Sequence, residues 1–142
     1  MQKQSENRES ARRAFAVSAL GAGVTLTALG GDASYRRYYR AQHGGRTYIL
    51  MDAPPELGGV ALFQQRSDEF RACGLPVPQI HAADPAQGFL LLEDYGDRWL
   101  WYDLTDAPEA AMTQALALLG DWQQATASLR DTIPPYTLDR LH

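Results

Sequence analysis

Lysine is almost absent from this chain of 142 residues: Lys3 is the only one, and arginine supplies every other cationic side chain. Any task that calls for a lysine inside the fold therefore falls to an arginine, whose planar fork grips oxyanions in pairs of hydrogen bonds. Cysteine is equally scarce. Cys73 stands alone, which excludes an internal disulfide and leads to the expectation of a reducing, cytoplasmic setting. Long apolar runs are missing too, since Ala14 to Val24 is too short and too mild for a membrane span or a signal peptide. Positive charge is not in excess: the net charge is -4 and the pI about 5.3, so no diffuse attraction draws a nucleic-acid backbone, and none is expected as a partner. His43, His81 and His142 have no cysteine or carboxylate at ligand spacing, which argues against a zinc site, and no Gly-x-Ser-x-Gly elbow signals a hydrolase.

What is present is a globular composition, 45% hydrophobic with 10% aromatics, in a length that suits one domain or a domain and a piece of another. Ser10 to Leu20 reads as a short helix stopped by Gly21 and Gly23, behind a polar start expected to fray. Val24 to Leu29 and Tyr35 to Gln42 alternate as two strands about the Gly30-Gly31-Asp32 turn, and Arg46 to Asp52 continues them as a third. Leu62, Phe63, Phe70 and Cys73 recur at helical spacing between Val60 and the Gly74 stop. Gln79 to Ala82 and Phe89 to Asp94 form a second hairpin, whose unbroken run Phe89-Leu90-Leu91-Leu92 predicts a strand covered on both faces. Asp106 with Pro108 and Glu109 has the pattern of a capping box opening a long helix that carries Met112, Leu116, Leu119, Trp122 and Leu129 and stops at Ile133-Pro134-Pro135.

Two segments carry chemistry. In Gly30-Gly31-Asp32-Ala33-Ser34-Tyr35-Arg36-Arg37, small residues at a strand turn let backbone N–H groups approach a phosphate, Ser34 adds a hydroxyl, and an arginine on the returning strand can hold phosphate oxygens. Taken alone this turn reads first as an ordinary hairpin turn beside a solvated strand face. It is neither a Walker A loop nor a dinucleotide fingerprint, because Gly-Lys-Ser/Thr is lacking and a strand follows instead of a helix. Leu90-Leu91-Leu92-Glu93-Asp94-Tyr95-Gly96 reads as an apolar strand running into a polar joint, where a planar base could lie against apolar side chains and bond to main-chain groups.

Four motifs in order, Asp32 to Arg40, Ile49 to Glu56, Val77 to Ile80 and Gly88 to Gly96, resemble the N-terminal lobe of the aminoglycoside phosphotransferase family. Within it the chain is most similar to the bacterial anomeric kinases of N-acetylmuramate and N-acetylglucosamine, which serve cell-wall recycling. The resemblance implies an α+β, protein-kinase-like lobe: a five-stranded antiparallel sheet with an inserted helix over residues 1–97, a hinge or linker over 98–106, and the start of a helical C-terminal lobe over 107–142. It implies ATP and magnesium as cofactors and an amino sugar as acceptor. Asp32, Ala33 and Ser34, with Arg36 or Arg37, would cover the phosphates, and Glu93, Asp94 and Tyr95 would hold the adenine. Strand alternation sends Arg36 and Arg37 to opposite faces, with Arg37 the preferred contact.

The chain departs from that family pattern twice. Kinases of this fold usually place a lysine on the third strand, paired to a helix glutamate; here the strand is Tyr48-Ile49-Leu50-Met51-Asp52, and Glu69 reads as an ordinary surface charge in preference to the orphaned partner of that lysine. The catalytic-loop aspartate, its asparagine and the later metal-binding aspartate find no counterpart, since Leu138-Asp139-Arg140-Leu141-His142 lacks their order. The chain is accordingly expected to be inactive by itself, with an apolar face around Leu116, Leu119 and Trp122 open to self-association.

Overall fold

The computed structural model describes residues 2–30 and 34–129. Helix α1 (Gln2–Leu20) leads into β1 (Thr25–Ala28), β2 (Arg37–His43) and β3 (Arg46–Asp52). Helix α2 (Ala61–Ala72), β4 (Ile80–Asp84), β5 (Phe89–Glu93), α3 (Leu100–Asp106) and α4 (Pro108–Ala125) follow. The strands form one antiparallel sheet in the order β1-β2-β3-β5-β4. This is the five-stranded sheet with a helix inserted after the third strand, the plan of a protein-kinase-like N-terminal lobe. By contact density the chain divides into two compact units, Met1–Gln65 with Pro78–Gly96, and Arg66–Val77 with Asp97–His142.

Strand parity distributes the core of the first unit. Tyr39, Leu50 and Leu91 stand opposite one another in register, as do Arg37, Asp52 and Phe89, so all six share the face that α1 covers. There Phe15, Ala16, Val24, Ala41, Leu50, Phe89 and Leu91 form one buried cluster. Tyr38, Ile49, Met51, Leu90 and Leu92 share the other face, where Val60 and Phe63, at the start of α2, pack on them. Phe89 to Leu92 therefore feed both clusters in alternation, which is why the run has no polar residue. Each of these fully buried side chains contributes roughly 2 kcal/mol of transfer free energy.

Several elements differ from their reading in the sequence. Helix α1 starts eight residues before Ser10, because Arg8 and Arg12 on its polar half reach the buried carboxylate of Asp52 and hold that half against the sheet. Residues 98–106, read as a linker, contain α3, whose first turn is braced by the ion pair of Arg98 with Asp103. The capping box is not formed: α4 opens with Pro108 behind Ala107, and no side chain caps it. Proline at the first helical position needs no N–H partner and carries a helical φ, so the cap is dispensable. The Ile133-Pro134-Pro135 stop and the Leu138 to His142 ending lie outside the described residues.

Glycine is required where the β3 exit meets the second hairpin. Gly88 has a φ of 75°, its carbonyl accepts the Ala53 N–H at 2.9 Å, and an added Cβ would collide with the Ala53 carbonyl oxygen. In the second unit, the Trp122 ring meets Phe70 edge-on at 5.0 Å, so Trp122 is half-buried and less open than expected. Leu116 and Leu119 do stay open, at 59% and 53% exposure.

Candidate functional site

β5 ends in a tightly bonded joint. The Glu93 N–H donates to the Gln79 carbonyl at 2.8 Å, continuing the ladder one step past β4. The return bond is different: the Gln79 N–H donates to the Glu93 carboxylate at 3.1 Å, where a regular ladder would send it to the Glu93 carbonyl. One residue on, the Asp94 carboxylate accepts the Gly96 N–H at 2.8 Å and the Arg40 Nε–H at 2.8 Å, with its side chain only 3% exposed. Burial by itself would raise the Asp94 pKa, but the Gly96 N–H, Arg40 and the Thr47 hydroxyl together bring it below the usual carboxylate range. Asp94 thus shapes the turn that carries Tyr95, whose ring is 64% exposed.

The glycine-rich turn is described from Ser34 onward; Asp32 and Ala33 lie outside the described residues. The Ser34 hydroxyl accepts the Arg36 N–H at 3.1 Å, a local turn that turns the chain into β2. Arg36 and Arg37 part company there. Arg37 stands opposite Asp52 and lines a cavity under α1 with Arg8, Arg12, Tyr35 and Tyr39. Arg36 is not among that cavity's walls; its Nε is buried without a hydrogen-bond partner, and its guanidinium lies 5.8 Å from the Tyr35 ring.

The position a lysine would hold is apolar. In kinases of this architecture the third-strand lysine pairs with the helix glutamate, so it stands on the strand face that the helix packs. On β3 that face carries Ile49 and Met51. Glu69 pairs with Arg66, one turn earlier on α2, at 2.5 Å. Among the described residues, no group of three or more histidines, cysteines or carboxylates could hold a metal ion.

Sequence reasoning missed the ion cluster under α1. Asp52 is 2% exposed; Arg8 bonds its Oδ1 through Nε at 2.9 Å and Nη2 at 2.6 Å, and Arg12 bonds its Oδ2 at 3.1 Å. The Arg8 and Arg12 guanidiniums also lie over the Phe89 and Tyr39 rings, at 4.1 and 3.8 Å. The available signal was an aspartate closing an apolar strand, a carboxylate that a buried position obliges to find a cation, and two arginines four residues apart on one helix.

The sheet order and the inserted helix describe a kinase-like N-terminal lobe, and the family comparison agrees. The phosphotransferase enzyme family matches residues 25–141, most of the chain, and the chain belongs to that family. Among individual proteins, it is 41% identical over 121 residues to the N-acetylmuramate/N-acetylglucosamine kinase of Caulobacter vibrioides, covering 66% of this chain and 33% of that protein. The same-named kinase of Pseudomonas putida is 40% identical over 86 residues, covering 61% of this chain and 25% of that protein. That of Neisseria meningitidis is 32% identical over 117 residues, covering 78% and 34%. The chain therefore spans between a quarter and a third of the length of the relatives it matches.

No helix among the described residues is long and apolar enough to cross a membrane.

Proposed function

We propose that this chain is the nucleotide-holding lobe of an ATP-dependent amino-sugar kinase acting on N-acetylmuramate or N-acetylglucosamine, in the cytoplasm, as part of cell-wall recycling. The observation that carries the nucleotide reading is the end of β5. With the Gln79 N–H taken by the Glu93 carboxylate, the Glu93 carbonyl is available to accept a hydrogen bond from an adenine amino group. Asp94, locked by Arg40 and Gly96, holds the Tyr95 main chain beside it. The base would lie beside the exposed Tyr95, just past the end of β5. On this reading residues 1–97 form the nucleotide lobe, 98–106 connect it onward, and 107–142 begin the helical lobe.

For the phosphates the reading now favours Arg36 over Arg37. Arg36 immediately precedes β2, and its Nε has no hydrogen-bond partner among the described residues, so a turn of its side chain would offer that donor to a phosphate oxygen. Bound ATP supplies the transferable phosphoryl group; the chain's own residues bind and orient it. Magnesium fits less well, because the described residues offer no ligand cluster for it, so its ligands are assigned to other parts of the complete enzyme. The proton acceptor is assigned there too, and the 142 residues alone are expected to bind ATP without transferring phosphate.

Titration calorimetry with ATP tests the reading. Binding that weakens about tenfold in Arg36→Ala, with no sugar phosphate detected by phosphorus NMR, is the expected result. Absence of ATP binding would overturn the nucleotide assignment, and product formed by the 142 residues alone would overturn the division of labour. Leu116 and Leu119 give the second unit an apolar surface through which self-association is proposed; a concentration-independent monomer on size-exclusion chromatography would refute it.

A further inference from the structure

We propose that the cavity between α1 and the sheet is a second anion site, selective for a phosphomonoester and separate from the nucleotide face. Its volume is about 520 Å³, within the range of small-molecule sites. Arg8, Arg12 and Arg37 line it against only two carboxylates, Glu9 and Asp52, so positive charge is in excess.

The excess is not spread evenly. Asp52 is consumed by Arg8 and Arg12, and Arg8 spends its remaining arm on the Gln87 carbonyl at 2.6 Å. Arg12 is the incomplete member. It gives Asp52 one hydrogen bond, through Nη1, its guanidinium lies over Tyr39 at 3.8 Å, and its Nη2 makes no hydrogen bond among the described residues. A guanidinium's donors lie along its edge, so Nη2 is the donor left for a ligand in the cavity. Arg37 adds a second guanidinium, exposed at the cavity and forming no ion pair among the described residues. A carboxylate would satisfy one such fork. The dianionic head of a phosphomonoester, with three acceptor oxygens, can serve two.

The rim suits the organic half of such a ligand. Tyr35 is 42% exposed, and it is held by the turn at Gly58, where an added Cβ would lie 2.5 Å from the Tyr35 hydroxyl. An exposed aromatic ring beside a cationic floor is a platform for a sugar or another small ring bearing the phosphate. The two sites are distinct by strand parity, since Arg37, Tyr39 and Asp52 face α1, whereas Tyr38, Met51 and Leu92 face α2.

The experiment is NMR of the purified chain, following the arginine Nε–H signals during titration with inorganic phosphate and with glucose 6-phosphate, with and without saturating ATP. The expected result is a shift of the Arg12 Nε–H signal by both probes, tighter for the sugar phosphate, undiminished by ATP and retained in Arg36→Ala. Arg37→Gln should weaken binding about tenfold, and Glu9→Gln should tighten it, because one competing carboxylate is removed. A preference for inorganic phosphate would assign the site to the free ion and overturn the platform role of Tyr35. An unmoved Arg12 signal, or binding lost in Arg36→Ala and kept in Arg37→Gln, would overturn the site itself. Displacement by ATP with Arg37→Gln still binding would do so as well. Because Glu9→Gln changes only a rim residue on α1, it keeps the test decisive if Arg37→Gln folds poorly. The titrations without ATP do not depend on whether the nucleotide reading holds.

Discussion

On one face of the sheet the covering helix is held by charge, and on the other by apolar contact. Helix α1 is tethered through Arg8 and Arg12 to Asp52, with Phe15 stacked on Phe89 at 5.5 Å beneath them. The start of α2 is seated by Val60 and Phe63 on Met51, Leu90 and Leu92. Charge-assisted bonds depend on direction, so the tether defines where the polar half of α1 lies and leaves room beside it for a cavity. Apolar packing has no such direction and closes the space it covers.

Removing an aromatic anchor should produce the largest effect on this contrast. Phe89→Ala deletes a fully buried ring under the Arg8 guanidinium and should destabilise the chain by about 4 kcal/mol in urea unfolding followed by circular dichroism. Leu90→Ala, one residue along and on the other face, should cost about 3 kcal/mol while leaving the hydrogen-exchange protection of α1 intact. Equal loss of α1 protection in both variants would show that the two faces do not act separately.

Asp52→Ala addresses the tether alone. It strands two partly buried guanidiniums and should cost about 3 kcal/mol, with exchange protection lost first in the half of α1 containing Arg8. Protection that stays uniform along α1 would mean that Phe15 and Ala16 suffice to hold the whole helix.

The joint after β5 is ionic as well, and its pH response sharpens the comparison. Because Asp94 has its pKa lowered in the folded chain, its contribution is present above the ordinary carboxylate range and is lost as pH falls from about 4 through the lower folded value. Asp94→Asn should cost about 2 kcal/mol at neutral pH and flatten the acid limb of the stability profile. An unchanged acid limb would remove Asp94 from the account. The smallest effect, about 1 kcal/mol, is expected for Gly58→Ala, which places a side chain at a φ of 120° against the Tyr35 hydroxyl; thermal melting would measure it.

Much of the framework was legible in the residues. The third strand occupies Arg46–Asp52 as its β-branched and aromatic pattern indicates, and the unbroken Phe89 to Leu92 run announced a strand covered on both faces. Those features are local: a side-chain period of two and a turn glycine act within a few residues of where they are written. The polar half of α1 was not legible, because its stability comes from Asp52, a partner 40 and 44 residues away along the chain. Helix α3 was missed for a related reason, since nothing between Trp99 and Asp106 has the cap or stop signals that mark a helix.

By itself the sequence determined the order of strands and helices, the family, and the two segments where chemistry was to be sought. Alternation along β2 also implied that Arg36 and Arg37 part to opposite faces. That Arg37 takes the face of Asp52, under α1, was decided by the tertiary structure, because it depends on the register of β2 against β3 and on which helix covers that side. The same long-range pairing turned Asp52 into the anchor of a distant helix and Asp94 into the clamp of a turn. Their charges are written in the sequence, but their partners are brought within hydrogen-bond distance only by folding.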